Sequence, residues 1–461
     1  MSGLFGVVSQ KNCIHPLFYG TDYQSHMGTE KAGLAVLGDN FQREIHNLSQ
    51  QGEFKSSFNH TLKEWTGNKG IGVISDKDPQ PLLIASRLGN FAIAFAGLIH
   101  NLDKLITEFP QQPFEMGSYG EINATELIAK LICEKDNYIS GILNVFQRIE
   151  GSASILLLTG EGIYAARDSL GRTPLVIAER PDMLAVASES CGFSNLGFAS
   201  KSYLGPSEIV LLTPAGIIKK SPKREKKQIC AFLWIYTGNP GSTYEGISVE
   251  MVRERCGRAI ARRDNVEADL VTGIPDSGTG HSIGYSIEAG IPFRRPFIKY
   301  STAYGRSYTP IDEQERNTIA AMKLIPIKEI IEGKRIIICE DSIVRGTQLR
   351  NQTLRQLWEN GAFEIHLRPA CPPLMFPCKF LLSTRAFHEL AARRAIKALE
   401  GYDLEDVGEY LDSDSEKYNN MVEWIRQDLG ATTLKYQRID DMIEAIGLTR
   451  EELCLHCWTG E

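Results

Sequence analysis

The chain has 461 residues, 43% of them hydrophobic and 23% charged, with a formal net charge of −7. That is the balance of an ordinary globular protein with room for two or three domains. An acidic balance argues against nucleic-acid binding as the main role, because phosphate backbones attract basic faces. No run of about 18 apolar residues is present, so no membrane span is expected. The N-terminal segment from Met1 to Val8 is apolar without a basic leader, which makes the cytoplasm the expected location. Ten cysteines in such a chain point to metal or cluster ligands where spacing pairs them, rather than to disulfides.

Residues 1 to about 220 read as many short strands with fewer helices. Ser154–Thr159, Gly162–Ala166, Leu175–Ala178 and Glu208–Thr213 are short apolar runs separated by Gly, Asp and Pro turns. Between Ala124 and Cys133 the spacing of Leu127, Ile128, Leu131 and Ile132 predicts a helix. Stacked antiparallel sheets with helices outside are expected. The charged break Ser221–Ile229 marks a linker, with the domain boundary near 225. Beyond it the texture becomes alternating. Val249–Arg262 is helical in pattern. Ala268–Thr272 is a strand that ends in Gly273-Ile-Pro-Asp-Ser-Gly-Thr-Gly280, followed by a helix over Ser282–Ala289. Ile336–Ile338 and Glu364–Arg368 repeat the strand-to-loop pattern, so a parallel sheet is expected. The C-terminal part reads as helices over Leu404–Leu411, Tyr418–Leu429 and Ile439–Ile446, closing on Cys454-Leu-His-Cys457.

The stretch Arg335–Thr347 carries the clearest chemistry. A buried-type strand runs directly into Glu340 and Asp341, then into the small polar turn Ser342-Ile-Val-Arg-Gly-Thr347, and a helical pattern opens after it (Leu349, Leu354, Leu357, Trp358). In α/β sheets ligands bind at the carboxyl ends of strands, and helix N-termini offer free N–H groups to anions. Such a turn can cradle a phosphate while the acids hold ribose hydroxyls or a metal. The bland alternative is an acidic strand end with Ser342 capping a helix. A Walker A loop is excluded, since GxxxxGK[ST] is missing.

Glu340-Asp-Ser-Ile-Val-Arg-Gly-Thr347 resembles the phosphoribosyl pyrophosphate (PRPP) loop of type I phosphoribosyltransferases, and Pro275-Asp-Ser-Gly278 their pyrophosphate loop. With Tyr164–Asp168, Leu170–Leu175 and Ala187–Cys191, the chain resembles the glutamine PRPP amidotransferase (amidophosphoribosyltransferase) family over nearly its full length. The resemblance implies an α+β and α/β chain: an N-terminal nucleophile (Ntn) hydrolase-like αββα sandwich, then a type I phosphoribosyltransferase parallel-sheet domain with C-terminal helices. The implied domains are 1–225, 226–400 and a helical extension over 401–461. The implied reaction joins PRPP and ammonia into 5-phosphoribosylamine with release of pyrophosphate, in de novo purine synthesis. Asp276, Ser277 and Gly278 would receive pyrophosphate, and Arg345, Gly346 and Thr347 the 5-phosphate, with Ser342, Glu340 and Asp341 also on PRPP. Ser277, Glu340 and Asp341 stand at the family's Mg²⁺-linked positions, Glu340 where many members carry Asp. Phe297–Pro310 matches the mobile loop region and Lys323 a pyrophosphate-contacting lysine, while Ala321 and Ile325 depart from the pattern. A homotetramer is implied, with neither nucleic acid nor membrane as partner.

The glutaminase half departs from the family at several places. Ser2 occupies the position of the nucleophilic Cys. His26-Met-Gly28 lacks an Arg, Ser75-Asp76 lacks the Arg that grips the glutamine carboxylate, Ala96-Gly97 lacks the oxyanion-hole Asn, and Ala124 replaces an Asp. Losing one oxyanion donor typically costs ~10²–10³ in rate, so this half is expected to be an inactive glutaminase. Cys13 has no free amine beside it and reads as a plain buried cysteine. Cys230, Cys378, Cys454 and Cys457 match the four [4Fe–4S] ligands of some family members; zinc at the same ligands, or free thiols, are the alternatives. Two further readings of the whole chain stand beside the ammonia-dependent transferase: a non-catalytic PRPP- or nucleotide-binding regulator, and a glutaminase that works through Ser2.

Overall fold

The computed structural model describes residues 2–28, 30–48, 54–110, 112–115, 120–300, 324–380 and 387–461. Lys323, Ala321 and the mobile-loop segment from residue 301 onward lie outside the described residues.

The first half builds two antiparallel sheets. One runs in the order Ala199–Tyr203, Val176–Arg180, Met183–Ala187, Gly3–Ser9, Lys69–Ser75, Lys31–Leu37, Phe41–Asn47. The other runs Gly216–Ser221, Ile209–Thr213, Ile163–Ala166, Gly151–Leu158, Gly89–Ile99, Leu82–Ser86. Strand Gly3–Ser9 shows why these segments are apolar throughout. Side chains alternate between faces, and both faces are covered. Leu4 and Val8 enter the core shared with Ala92, Ala94 and Leu156 of the second sheet. Phe5 and Val7 enter the core that takes Leu17 and Phe18 of helix Ile14–Asp22. Behind the second sheet lie helices Ala124–Cys133 and Tyr138–Arg148, whose Leu127, Leu131, Ile142 and Val145 pack on Phe91, Ile93 and Ile155. The result is the expected helix–sheet–sheet–helix sandwich. Each large side chain buried there contributes roughly 1.5–3 kcal/mol.

The second half holds a four-stranded, all-parallel sheet in the order Leu270–Gly273, Arg335–Glu340, Glu364–Pro369, Thr433–Leu434. The isoleucine run of its second strand is fully buried because helices cover both faces. Ile337 and Cys339 pack with Val252, Cys256 and Ile260 of helix Val249–Arg262. Ile336 and Ile338 pack with Ala395 and Ile396 of Ala391–Glu400 and with Met421 and Ile425 of Glu416–Leu429. Beneath the sheet Arg368 and Asp264 form a buried ion pair, their side chains 2% and 3% exposed. Tyr285 Oη donates to the same carboxylate at 2.7 Å.

The helix expected over Leu404–Leu411 is shorter, covering Gly408–Leu411. Asp406 Oδ1 accepts the Gly408 N–H at 2.9 Å, and such a local turn competes with a helix for the same backbone groups. The linker strand Ile229–Cys230 pairs in parallel with Leu453–Cys454, so the C-terminus returns to the junction of the two halves. Among the described residues no helix is long and apolar enough to cross a membrane.

Candidate active site

The parallel register places Gly273 opposite Cys339, so the two strands end together. Their following loops therefore converge. Ile274 N–H donates to the Cys339 carbonyl at 3.3 Å, which pins the start of the Pro275–Gly278 loop to the neighbouring strand. The Pro275–Asp276 peptide is cis. Gly278 allows the approach: a Cβ there would lie 2.5 Å from the Cys339 carbonyl oxygen. Helix Thr279–Ala289 starts at this loop, a turn earlier than the Ser282 start read from the sequence. The N–H groups of Asp276 and Ser277 meet no protein acceptor among the described residues. Asp276 and Ser277 thus present donors at a helix N-terminus, where the backbone dipoles favour an anion.

The second loop is held from behind. Ala391 N–H donates to the Val344 carbonyl at 2.7 Å, Arg394 Nη2 to the Arg345 carbonyl at 2.9 Å, and Arg350 N–H to the Gly346 carbonyl at 2.9 Å. With its carbonyls bound on one side, the N–H groups from Ile343 to Thr347 meet no protein acceptor among the described residues. Gly346 has φ +76°, a conformation glycine adopts without strain. Successive free N–H groups in such a turn form an anion-binding concavity. The Arg345 side chain is exposed and paired with Glu389, and Lys299 Nζ pairs with Asp276. Ser342 Oγ donates to Asp341 Oδ1 at 2.6 Å and caps no helix, which removes the bland reading of that serine. The following helix begins at Thr347 and runs through a widened, π-type stretch, Leu349–Leu354, into Arg355–Glu359.

Glu340 and Asp341 differ in surroundings. Glu340 Oε2 is buried without a hydrogen-bond partner among the described residues. Burial, then the adjoining Asp341 charge, pushes the Glu340 carboxyl well above the usual range. Two groups that the sequence reading missed stand behind Asp341. Arg253 is 2% exposed and donates to the carbonyls of Trp234, Tyr236 and Gly238, and the Asp341 charge acts on it. His281 is fully buried, and burial followed by the Arg253 charge lowers its pKa to about 4. Both sit on helices that read as ordinary amphipathic segments, so only packing brings them to the site.

In the first half, Ser2 Oγ lies 3.5 Å from Ser75 Oγ. The strand pairing explains this, since Gly3 is registered with Ile74. Gly28 packs on the Ser75 backbone, and His26 Nε2 reaches Glu189 Oε2 at 2.7 Å. The positions that the resemblance compares with a glutamine pocket therefore do adjoin, at least around Ser2, Ser75 and Gly28. Ala96 offers only a methyl group, 2% exposed. At Ala124 the helix N-terminus is capped by Asn123 Oδ1, which accepts Thr125 N–H at 2.9 Å. Sequence reasoning also missed Asp78. It is buried and takes a hydrogen bond from the Ala124 backbone, and burial raises its pKa to about 6. Lys77 beside it is paired with Glu121. Cys13 is fully buried and pushed up to about 12 by that burial, as a structural cysteine should be.

Cys230, Cys378, Cys454 and Cys457 line one cavity together with Arg172, Phe232, Phe380, His456 and Trp458. Three separate segments thus deliver the four thiols that the sequence singled out. Among the described residues no group of three or more His, Cys, Asp or Glu is close-set enough to hold a metal ion.

The glutamine amidotransferase domain family matches residues 69–195. An amidophosphoribosyltransferase of Methanocaldococcus jannaschii is 30% identical, across 100% of this chain and 97% of that protein. The chain belongs to the amidophosphoribosyltransferase family. A Bacillus subtilis amidophosphoribosyltransferase is 29% identical over 100% of the chain and 93% of the relative. Among solved structures, glutamine PRPP amidotransferase from B. subtilis complexed with ADP and GMP superposes with a TM-score of 0.85 at 29% identity, covering 100% of this chain and 96% of that one. The sandwich followed by a parallel sheet is therefore the amidophosphoribosyltransferase architecture along the whole chain. The two converging loops lie on its transferase sheet, outside the stretch matched by the glutaminase domain family.

Proposed function

We propose that this amidophosphoribosyltransferase makes 5-phosphoribosylamine from PRPP and free ammonia, and that its N-terminal half no longer hydrolyses glutamine. Family membership along the full chain supports the transferase reaction. The observation that carries the site assignment is the register that brings the Asp276–Gly278 loop and the Ile343–Thr347 loop to one strand end. The free N–H groups of the first loop suit the pyrophosphate, and those of the second the 5-phosphate. Asp341 and Glu340, which follow at the same strand end, would hold the ribose hydroxyls between them. Ammonia attacks C1 as its bond to pyrophosphate breaks, and a proton is then lost from the new amine. Mg²⁺, when bound with PRPP, would neutralise the leaving group. Ser277, Glu340 and Asp341 are the candidates to meet it, and the unpartnered Glu340 Oε2 beside a second carboxylate fits a cation.

Ser75 and Ala96 support the loss of glutaminase activity. A serine cannot supply the charge that grips a substrate carboxylate, and a methyl cannot donate to an oxyanion. Four thiols spread round one cavity suit a [4Fe–4S] cluster held by Cys230, Cys378, Cys454 and Cys457, since a cubane holds its ligands further apart than a single ion does. The assembly is proposed to be a homotetramer in the cytoplasm. Incubation with PRPP and Mg²⁺ plus either NH₄Cl or glutamine tests the reaction, read as pyrophosphate release. Release with NH₄Cl alone is the expected result. Release with neither leaves the regulator reading, and equal release with glutamine overturns the loss of glutaminase.

A further inference from the structure

The four thiols of the cavity all come from the C-terminal half, but its guanidinium comes from the other half. Arg172 follows a turn built on Asp168, whose carboxylate accepts the N–H groups of Leu170 and Thr173. That turn is seated on the linker strand: Gln228 N–H donates to the Leu170 carbonyl at 2.7 Å, and Arg172 Nη2 donates to Gln228 Oε1 at 2.9 Å. The guanidinium then lies over the Phe380 ring, 3.5 Å from its centroid. Phe380 is itself fastened to the first half, because Ser152 Oγ donates to its carbonyl at 2.7 Å. Arg172 is thus held at the cavity by both walls, with 7% of its surface exposed.

One part of this arrangement is unsatisfied. Arg172 Nε is buried at the cavity wall without a hydrogen-bond partner among the described residues. A buried guanidinium N–H is costly to leave unpaired, so one at the wall of a cavity lined by four thiols points to an acceptor inside it. Sulfide and thiolate sulfurs are acceptors of the right kind, and the Arg172 side chain already lies within hydrogen-bonding reach of Cys454.

We propose that Arg172 is a positioning residue that donates an N–H and a positive charge to an iron–sulfur group held by Cys230, Cys378, Cys454 and Cys457, and thereby raises its reduction potential. Hydrogen bonds and positive charge favour the reduced, more negative form of such a group. The inference rests on the cluster reading of the four cysteines, and one experiment separates the two. The full chain is purified anaerobically as wild type, Arg172→Gln and Arg172→Lys. Iron and acid-labile sulfide are assayed, and a redox titration is followed by visible absorbance and electron paramagnetic resonance. The expected result is iron retained in all three, with the midpoint lowest in Arg172→Gln and intermediate in Arg172→Lys. Iron-bearing variants with an unmoved midpoint overturn the role of Arg172 and leave the cluster standing. Loss of the cluster from both variants makes Arg172 structural and overturns it equally. Wild-type protein with zinc or no metal in place of iron and sulfide sinks the cluster reading, and this inference with it.

Discussion

The two halves treat their expected ligands differently. In the transferase half, the backbone N–H groups at Asp276–Ser277 and Ile343–Thr347 meet no acceptor among the described residues, while the carbonyls of Val344, Arg345 and Gly346 are tied down. In the glutaminase half, the corresponding positions hold small groups that satisfy themselves: Ser2 meets Ser75, and Ala96 closes with a methyl. A site made of backbone donors needs only the right turn, so a few changes of side chain leave it intact. A site made of specific side chains fails when those side chains change. On the proposed reading, that is why one chemistry persists and the other is gone.

The comparison breaks most decisively at Asp341. Asp341→Ala should cut ammonia-driven pyrophosphate release by about 10²–10³-fold or more, with the circular dichroism spectrum unchanged; undiminished turnover would mean the loop has been misread. The reverse change in the other half should do little. Ser2→Cys alone is expected to leave glutamine-driven release about 10²-fold below ammonia-driven release, because Ser75 and Ala96 still lack the clamp and the oxyanion donor. Glutamine turnover restored by that single substitution would show the pocket to be intact.

Two stability measurements sharpen the contrast. Arg368→Met leaves the Asp264 carboxylate buried and uncompensated beneath the transferase sheet. Denaturant unfolding should show a loss of about 3–5 kcal/mol, largely recovered in a double variant with Asp264→Leu. The smallest effect concerns Asp78. Its pKa rises from 3.8 to about 6 on folding, so the folded chain binds the proton more tightly than the unfolded chain. That contribution is fully present below pH 3.8 and is lost as the pH rises through 6. Asp78→Asn should therefore melt about a few degrees higher than wild type above pH 6, with the gap closing near pH 4. A gap that is the same at both pH values would show that Asp78 is not buried in its protonated form.

Much of this was legible in the residues. The apolar run at Ile336–Ile338 reads as a strand covered on both faces because no polar residue interrupts it, and the structure buries it between two cores. The carboxylates at its end and the turn after them follow directly in the chain, so the phosphate loop needed no tertiary information. Helix Ala124–Cys133 matches its predicted bounds, since the apolar spacing and an Asn cap coincide there. The segment before Gly408 is not helical despite its apolar spacing because Asp406 turns the backbone locally, an effect that periodicity does not register.

Sequence by itself therefore determined the elements, the family and the strand-end loop, all of which depend on neighbours a few residues apart. Tertiary structure alone decided what surrounds them. The Asp341 charge acts on Arg253 and His281 only because helix packing on the sheet brings them near it. Cys454 and Cys457 announce themselves by spacing, but Arg172 arrives at their cavity from far earlier in the chain, through a turn pinned to the linker strand. No pattern of adjacent residues records that meeting, because the contact forms only when the C-terminal strand pairs beside Cys230.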